Sequence, residues 1–337
     1  MVAVLCTLFA VLIPSPVQAT ESAEYIGLHP HARDQSTPQG RAISVVDGFD
    51  GRVYFGYGDT VHDTGPIVIS SYDPRRDTWS DDLTFRTEKV GRFRELSGLL
   101  WAPAFDPQGS LDIGYADGSG SRPWSEHPVD AALVSSDGPV HTYDATGRGT
   151  TAERYLAGAY EASEGGGVLR YTPVVGWTVS LSVPGPSTRF YNVADLNGRV
   201  YTVLGGLVGT DPDYDVGDDS YVFDGVTWTR GPKLYGFVKP VNFAGRLVFR
   251  SEDGRLLAFD GSTVSGLNIP DAVDHDVDAG KLVVLSGRSH TLYSTTNLVS
   301  WKAEGRVPES ATAVGVLHGI AYIGTSDTSI YRLKLAD

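Results

Sequence analysis

A short pattern recurs along this chain, and a recurring unit limits the fold more than any overall composition does. A turn glycine, often followed by a basic residue, leads into alternating apolar residues. It reads Gly51-Arg52-Val53-Tyr54-Phe55, Gly98-Leu99-Leu100-Trp101, Gly198-Arg199-Val200-Tyr201, Gly245-Arg246-Leu247-Val248-Phe249, Gly280-Lys281-Leu282-Val283-Val284 and Gly319-Ile320-Ala321-Tyr322-Ile323. A weaker copy, Glu153-Arg154-Tyr155-Leu156-Ala157, fills the longest gap. The anchors lie between 35 and 55 residues apart, the size of one four-stranded propeller blade.

Each anchor sits in a larger unit. An apolar strand with a polar turn precedes it, as in Phe190 to Asn197, and small residues such as Gly56, Gly158 and Gly324 close the strand after it. A further strand follows, then an aromatic-Asp turn and often a Trp. Such period-2 segments separated by Gly, Asp, Asn and Pro read as β-hairpins, and no amphipathic helix of ten residues stands out. The fold expected is all-β, a seven-bladed β-propeller, with six blades as the alternative. A β-sandwich fits less well, because sandwiches do not repeat at this period. Residues 41–337 form the expected propeller, after an extension over 20–40. The last unit, Ala311 to Leu335, is short of an outer strand, and Arg41 to Val46 is expected to complete it from the N-terminus and close the ring.

Two units carry a more specific pattern. Tyr72-Asp73-Pro74-Arg75-Arg76-Asp77-Thr78-Trp79 and Gly205-Gly206 with Tyr221-Val222-Phe223-Asp224-Gly225-Val226-Thr227-Trp228 resemble kelch repeats. Weaker echoes are Tyr171 to Trp177 and Phe259-Asp260-Gly261. The segment from Tyr293 to Trp301 is similar to the Asp-box of sialidase-type propellers, with Thr296 and Leu298 where that box has Asp and Gly. The resemblance implies a propeller and no particular activity, since this fold hosts enzymes, lectins and adaptors. In its turns the Asp side chain bonds its own backbone, and the Trp packs between blades.

Residues Met1 to Pro14 are almost wholly apolar, and Val17-Gln18-Ala19 fits a signal-peptidase site before Thr20. Residues 1–19 are therefore read as a signal peptide, too short to span a bilayer, and the protein as secreted. The single Cys6 falls in this leader. The mature chain then has no disulfide, no thiol chemistry and no Cys–Tyr copper-radical site of the galactose oxidase kind. A formal net charge of −14 argues against nucleic acid and against docking on an anionic membrane. No membrane insertion is expected after leader cleavage, and the protein is expected to be a monomer.

Four sets of residues are candidates for chemistry. Tyr57, Asp59, His62 and Asp63 lie in a long first-unit loop of Gly, aromatic and polar residues, the kind that shapes ligand sites. Arg94, Arg154 and Arg189 stand near inner strands. Sialidase-type propellers, which this chain resembles in its Asp-box, grip a carboxylate with three inner arginines; in that comparison Glu95, Tyr191 and Asp59 take the remaining parts. The long loop from Leu207 to Ser220 holds Asp211, Asp213, Asp215, Asp218 and Asp219, oxygen ligands of the kind calcium takes, although no Glu closes the set. Structural calcium is thus the one cofactor considered, and none is required. Asp274-His275-Asp276-Val277-Asp278 reads as a turn into the Gly280 anchor, and His141 as a structural residue. The leading functional expectation is a non-catalytic recognition module for a carbohydrate or protein, with Tyr57, Asp59, His62, Asp63, Arg94, Arg189 and Tyr191 as binding residues. The alternatives are a sialidase-like glycoside hydrolase and a structural surface component.

Overall fold

The computed structural model describes residues 22–108, 113–129, 140–160, 165–185, 188–205, 219–269 and 271–336. They form seven four-stranded antiparallel sheets, arranged as a seven-bladed β-propeller. The innermost strands of blades 1 to 7 are Val45–Phe49, Arg94–Leu96, Val140–Gly147, Val193–Leu196, Val238–Phe243, Ala272–Asp278 and Ala311–Leu317.

The glycine anchors have one local cause. In six blades the first hairpin turns on two residues that both have positive φ, as at Asp50-Gly51 (48° and 75°) and Asn197-Gly198 (55° and 78°). This backbone matches the right-handed twist of the flanking strands, and its second position favours glycine. Blade 3 is the exception. Its turn runs from Arg148 to Glu153, where Arg148 Nη1 bonds Glu153 Oε2 at 3.1 Å, and so it lacks the glycine anchor. The outer corners are closed by side chains. Asp224 Oδ1 accepts from the amides of Val226 and Thr227 at 2.8 and 2.9 Å. Asp260 accepts likewise from Ser262 and Thr263 at 2.9 and 2.8 Å, and Asn297 plays this part in blade 6.

The core lies between blades. Tyr54 of blade 1 packs on Phe93 and on Trp124 of blade 2. Trp177 of blade 3 meets Tyr115 of blade 2 edge-on, and Trp228 Nε1 of blade 4 donates to Ser180 Oγ of blade 3 at 2.9 Å. Where blades 7 and 1 converge, side chains give way to backbone. A Cβ on Gly48 would lie 2.3 Å from the Val316 carbonyl oxygen, and one on Gly315 2.6 Å from the Val46 backbone.

The ring closes differently from the sequence expectation. Glu24–Leu28 completes blade 7, pairing antiparallel with Ser329–Lys334, and Glu24 and Arg332 add a two-point ion pair at 2.7 and 3.0 Å. Arg41 to Val46 does not serve. Pro38–Arg41 is a helical turn, and Val45 begins the inner strand of blade 1. The tight Asp50-Gly51 turn pairs that strand locally with Arg52–Gly56. The closing strand is half exposed on the outer edge, and a register shift between Tyr25 and Gly27 breaks its alternation. Part of the expected extension therefore belongs to the propeller.

The remainder of that extension is pinned by two buried polar groups. His29 Nδ1 accepts from the amide of Ala32 at 3.0 Å, and Nε2 lies 3.1 Å from Ser70 Oγ. Its ring packs against Phe55, Tyr57 and Trp79. Burial, helped by nearby His31, pushes its pKa down to about 3, so the ring is neutral. Thr37 Oγ1 donates to Asp59 Oδ2 at 2.8 Å. Among the described residues no helix is long and apolar enough to cross a membrane.

Candidate functional site

The first hairpins of all blades point to one face, and the longer connections gather on the other. There a funnel leads toward the axis, with a cavity of about 190 Å³. It is built from strand ends of several blades. Lys89 and Arg92 enter ahead of the inner strand of blade 2, Tyr191 and Asn192 ahead of blade 4, Lys239 and Arg250 come from blade 5, and Asp274 and His275 from blade 6.

Its charges are unequal. Among the described lining residues Asp274 is the one carboxylate, against Lys89, Arg92, Lys239 and Arg250. Asp274 is already committed. It holds Lys239 Nζ through both oxygens at 2.8 and 2.9 Å, and its Oδ2 accepts the Val314 amide at 2.8 Å. Arg92 donates from Nη2 to Asn192 Oδ1 at 2.8 Å, while its buried Nε makes no hydrogen bond and lies 3.8 Å from Asp144 Oδ1 in a long ion pair. Burial brings Arg92 down to about 10, so it stays charged at neutral pH. Arg250 makes one long contact, Nη1 to the Ala272 carbonyl at 3.5 Å. The Lys89 ammonium lies 5.9 Å above the Phe105 ring. His275 is 1% exposed and neither ring nitrogen has a partner. Burial, reinforced by the Lys239 charge, pushes its pKa down to about 3, so it is a neutral imidazole.

Below the cavity Arg94 crosses the axis. It pairs with both oxygens of Asp144 at 2.7 and 2.8 Å and donates Nη1 to the Pro240 carbonyl at 2.8 Å. Asp144 also accepts the amide of Val193 from blade 4 at 3.0 Å. Arg94 is thus a floor strut, with its guanidinium already occupied.

The stretch read as a turn, Asp274 to Asp278, is an inner strand. Its alternation puts three carboxylates toward blade 7, where they accept the amides of Val314, Val316 and Gly319 at 2.8, 2.7 and 3.4 Å. Side chains here replace the backbone ladder that neighbouring inner strands lack. Burial and Asp276 raise Asp47 well above the usual carboxylate range, and burial raises Asp276 itself to about 6.

Of the residues expected to bind ligand, Tyr191 lines the funnel. Tyr57 is buried, with its hydroxyl on the Val68 backbone. Asp59 is a buried hub for Thr37, Val61 and His62, and His62 is exposed beside it. Asp63 faces Glu88, whose pKa rises to about 7 through burial and the nearby Asp106 and Asp63. Arg189 bonds the Tyr143 hydroxyl, and His141 holds the Phe105 carbonyl at 3.1 Å. Glu95 and Arg154 open onto the opposite face, around the short hairpin turns. The residues cast by the sialidase comparison therefore do not converge. Asp211, Asp213, Asp215 and Asp218 lie outside the described residues. Among the described residues no group of three or more His, Cys, Asp or Glu could hold a metal ion.

Sequence reasoning missed Lys89, Arg92, Asn192, Lys239, Arg250 and the funnel role of His275. One signal was readable: Arg250 stands five residues after its anchor glycine in blade 5, where Gly56 and Gly324 stand in blades 1 and 7. A large cation in place of a small closing residue marks a departure from the repeat.

No family model matches the chain, and no curated protein matches it. Solved structures do. A streptogramin B lyase is 13% identical with a TM-score of 0.60, over 93% of this chain and 97% of that one. A catalytically inactive virginiamycin B lyase from Staphylococcus aureus, with quinupristin, is 11% identical with a TM-score of 0.62, over 90% and 98%. A chain of a mitotic checkpoint complex is 8% identical with a TM-score of 0.57, over 100% and 99%. An enzyme and an assembly component share the architecture at these identities, so the likeness is one of fold: the chain is a seven-bladed β-propeller.

Proposed function

We propose that this protein is a secreted, non-catalytic recognition module that takes its ligand in the long-loop funnel. The observation that carries this reading is the funnel's make-up: four cations and the unpartnered His275 ring, with no pair of carboxyl groups among the described lining residues. A glycoside hydrolase needs two carboxyl groups flanking the scissile bond, whereas Asp274 is held by Lys239 and Val314. A general base works best with a pKa near the operating pH, and that of His275 is about 3. A cavity of about 190 Å³ is below the roughly 300–1,000 Å³ of a drug-sized ligand site, which suits one sugar unit or one side chain of a larger partner. The apolar leader supports export, and the Asp-closed outer turns support kelch-like units.

Glycan-array and affinity-capture binding of residues 20–337, with Tyr191→Ala as control, tests the reading. Saturable binding that Tyr191→Ala weakens, with the ligand recovered unchanged, is expected. A cleaved or eliminated product would overturn it.

A further inference from the structure

We infer that the funnel is built for a sugar that carries a carboxylate, a uronic-acid unit, gripped by Arg92 and Arg250 with its hydroxyls toward His275. This rests on the funnel being the ligand site and adds the class of ligand.

Two features of the walls point there. The first is an excess of positive charge on the cavity wall. In a chain of net charge −14, the cavity gathers Lys89, Arg92 and Arg250 around one carboxylate that already serves Lys239. Arg92 is 8% exposed, its buried Nε makes no hydrogen bond, and the carboxylate nearest that atom, Asp144 at 3.8 Å, is already held by both prongs of Arg94. A buried guanidinium is costly unless an anion meets it, and a planar carboxylate matches its fork. The second is His275, fully enclosed with both ring nitrogens unpartnered. A neutral imidazole offers one donor and one acceptor. A carboxylate only accepts, so it cannot satisfy both nitrogens, whereas hydroxyl groups donate and accept. The ligand that satisfies both walls has an anionic group and hydroxyls on one small frame. An acidic peptide side chain supplies the first and lacks the second, and a neutral sugar the reverse. The Phe105 and Tyr191 rings give such a frame apolar surface.

Titration calorimetry of residues 20–337 with glucuronate and galacturonate tests this, beside glucose, galactose, acetate, inorganic phosphate and a Glu-rich peptide. At least one uronate should bind about tenfold or more tighter than its neutral sugar and than acetate. Arg250→Gln and Arg92→Gln should each remove about tenfold or more. Arg250 makes one weak internal contact, so its variant separates binding from folding should Arg92→Gln be unstable. His275→Phe should weaken the uronate and leave acetate unchanged. Equal binding of neutral and acidic sugars, or preference for phosphate or the peptide, would overturn the uronate assignment and leave the funnel standing as a site. Uronate binding that survives both arginine substitutions and Tyr191→Ala would place the ligand elsewhere and overturn both readings. No uronate binding at all would overturn the assignment.

Discussion

The Lys239–Asp274 pair lets the energetics of the funnel be measured apart from any ligand. Asp274→Ala removes a carboxylate that holds a buried ammonium through two contacts of 2.8 and 2.9 Å and accepts the Val314 amide at 2.8 Å. Stranding a buried charge costs about 3–5 kcal/mol, and orphaning a buried amide about 1–3 kcal/mol. The two overlap, because water entering the gap serves both, so a loss of about 4–6 kcal/mol is expected. Lys239→Met leaves Asp274 near Arg250 and still bonded to Val314, and should cost about half as much. The double variant Asp274→Ala/Lys239→Met has no stranded ammonium, and only the amide penalty remains. It should be more stable than Asp274→Ala alone by about 3 kcal/mol. Urea denaturation at pH 7.5, with midpoint and slope fitted for all four proteins, gives the cycle. A double variant as unstable as Asp274→Ala, or less stable, would refute the reasoning: the cost would then come from lost packing rather than an uncompensated charge.

Other consequences are as direct. His29 has a pKa of about 3 when folded, against an ordinary 6.5, so the unfolded chain takes up its proton first; the stability from the buried neutral ring is complete above pH 6.5 and is lost as pH falls toward 3. The destabilisation caused by His29→Asn should therefore shrink by about 2 kcal/mol between pH 6.5 and 4.5; a pH-independent difference in denaturation curves would contradict this. Gly48→Ala should cost about 1–3 kcal/mol, because its Cβ would sit 2.3 Å from the Val316 oxygen, against little change for Gly266→Ala, which has open space; melting temperatures decide between them. Arg94→Ala leaves the fully buried Asp144 with the long Arg92 contact at 3.8 Å as its remaining cation and should cost about 3 kcal/mol in urea titration, with Arg94→Lys keeping the charge and losing the two-point fit. Removing residues 1–28 bares the edge of Ser329–Lys334, and light scattering should show association through that edge; a monomer as stable as the full chain would show that closure is dispensable.

The blade count was legible because its cause is local. A two-residue turn with two positive φ angles needs a glycine wherever it occurs, so six of these turns print themselves on the chain at blade spacing. The Asp-closed outer corners print themselves for the same reason: Asp224 and Asp260 bond amides two and three residues ahead. Interactions of low sequence separation leave a pattern in adjacent letters. The closing strand and the funnel do not. Glu24 meets Arg332 across 308 positions, Arg92 meets Asn192 across 100, and Arg94 meets Pro240 across 146. Only the ring brings such residues together, and no local preference marks them. The alternating Asp274, Asp276 and Asp278 show the boundary most clearly. Their period was visible, and it is the period of a strand, but that their carboxylates face the amides of blade 7 was settled by the convergence of inner strands on one axis. Local turn chemistry thus determined the architecture. The site, a group of cations that outnumbers its carboxylates where strand ends of several blades meet, was decided by tertiary structure alone.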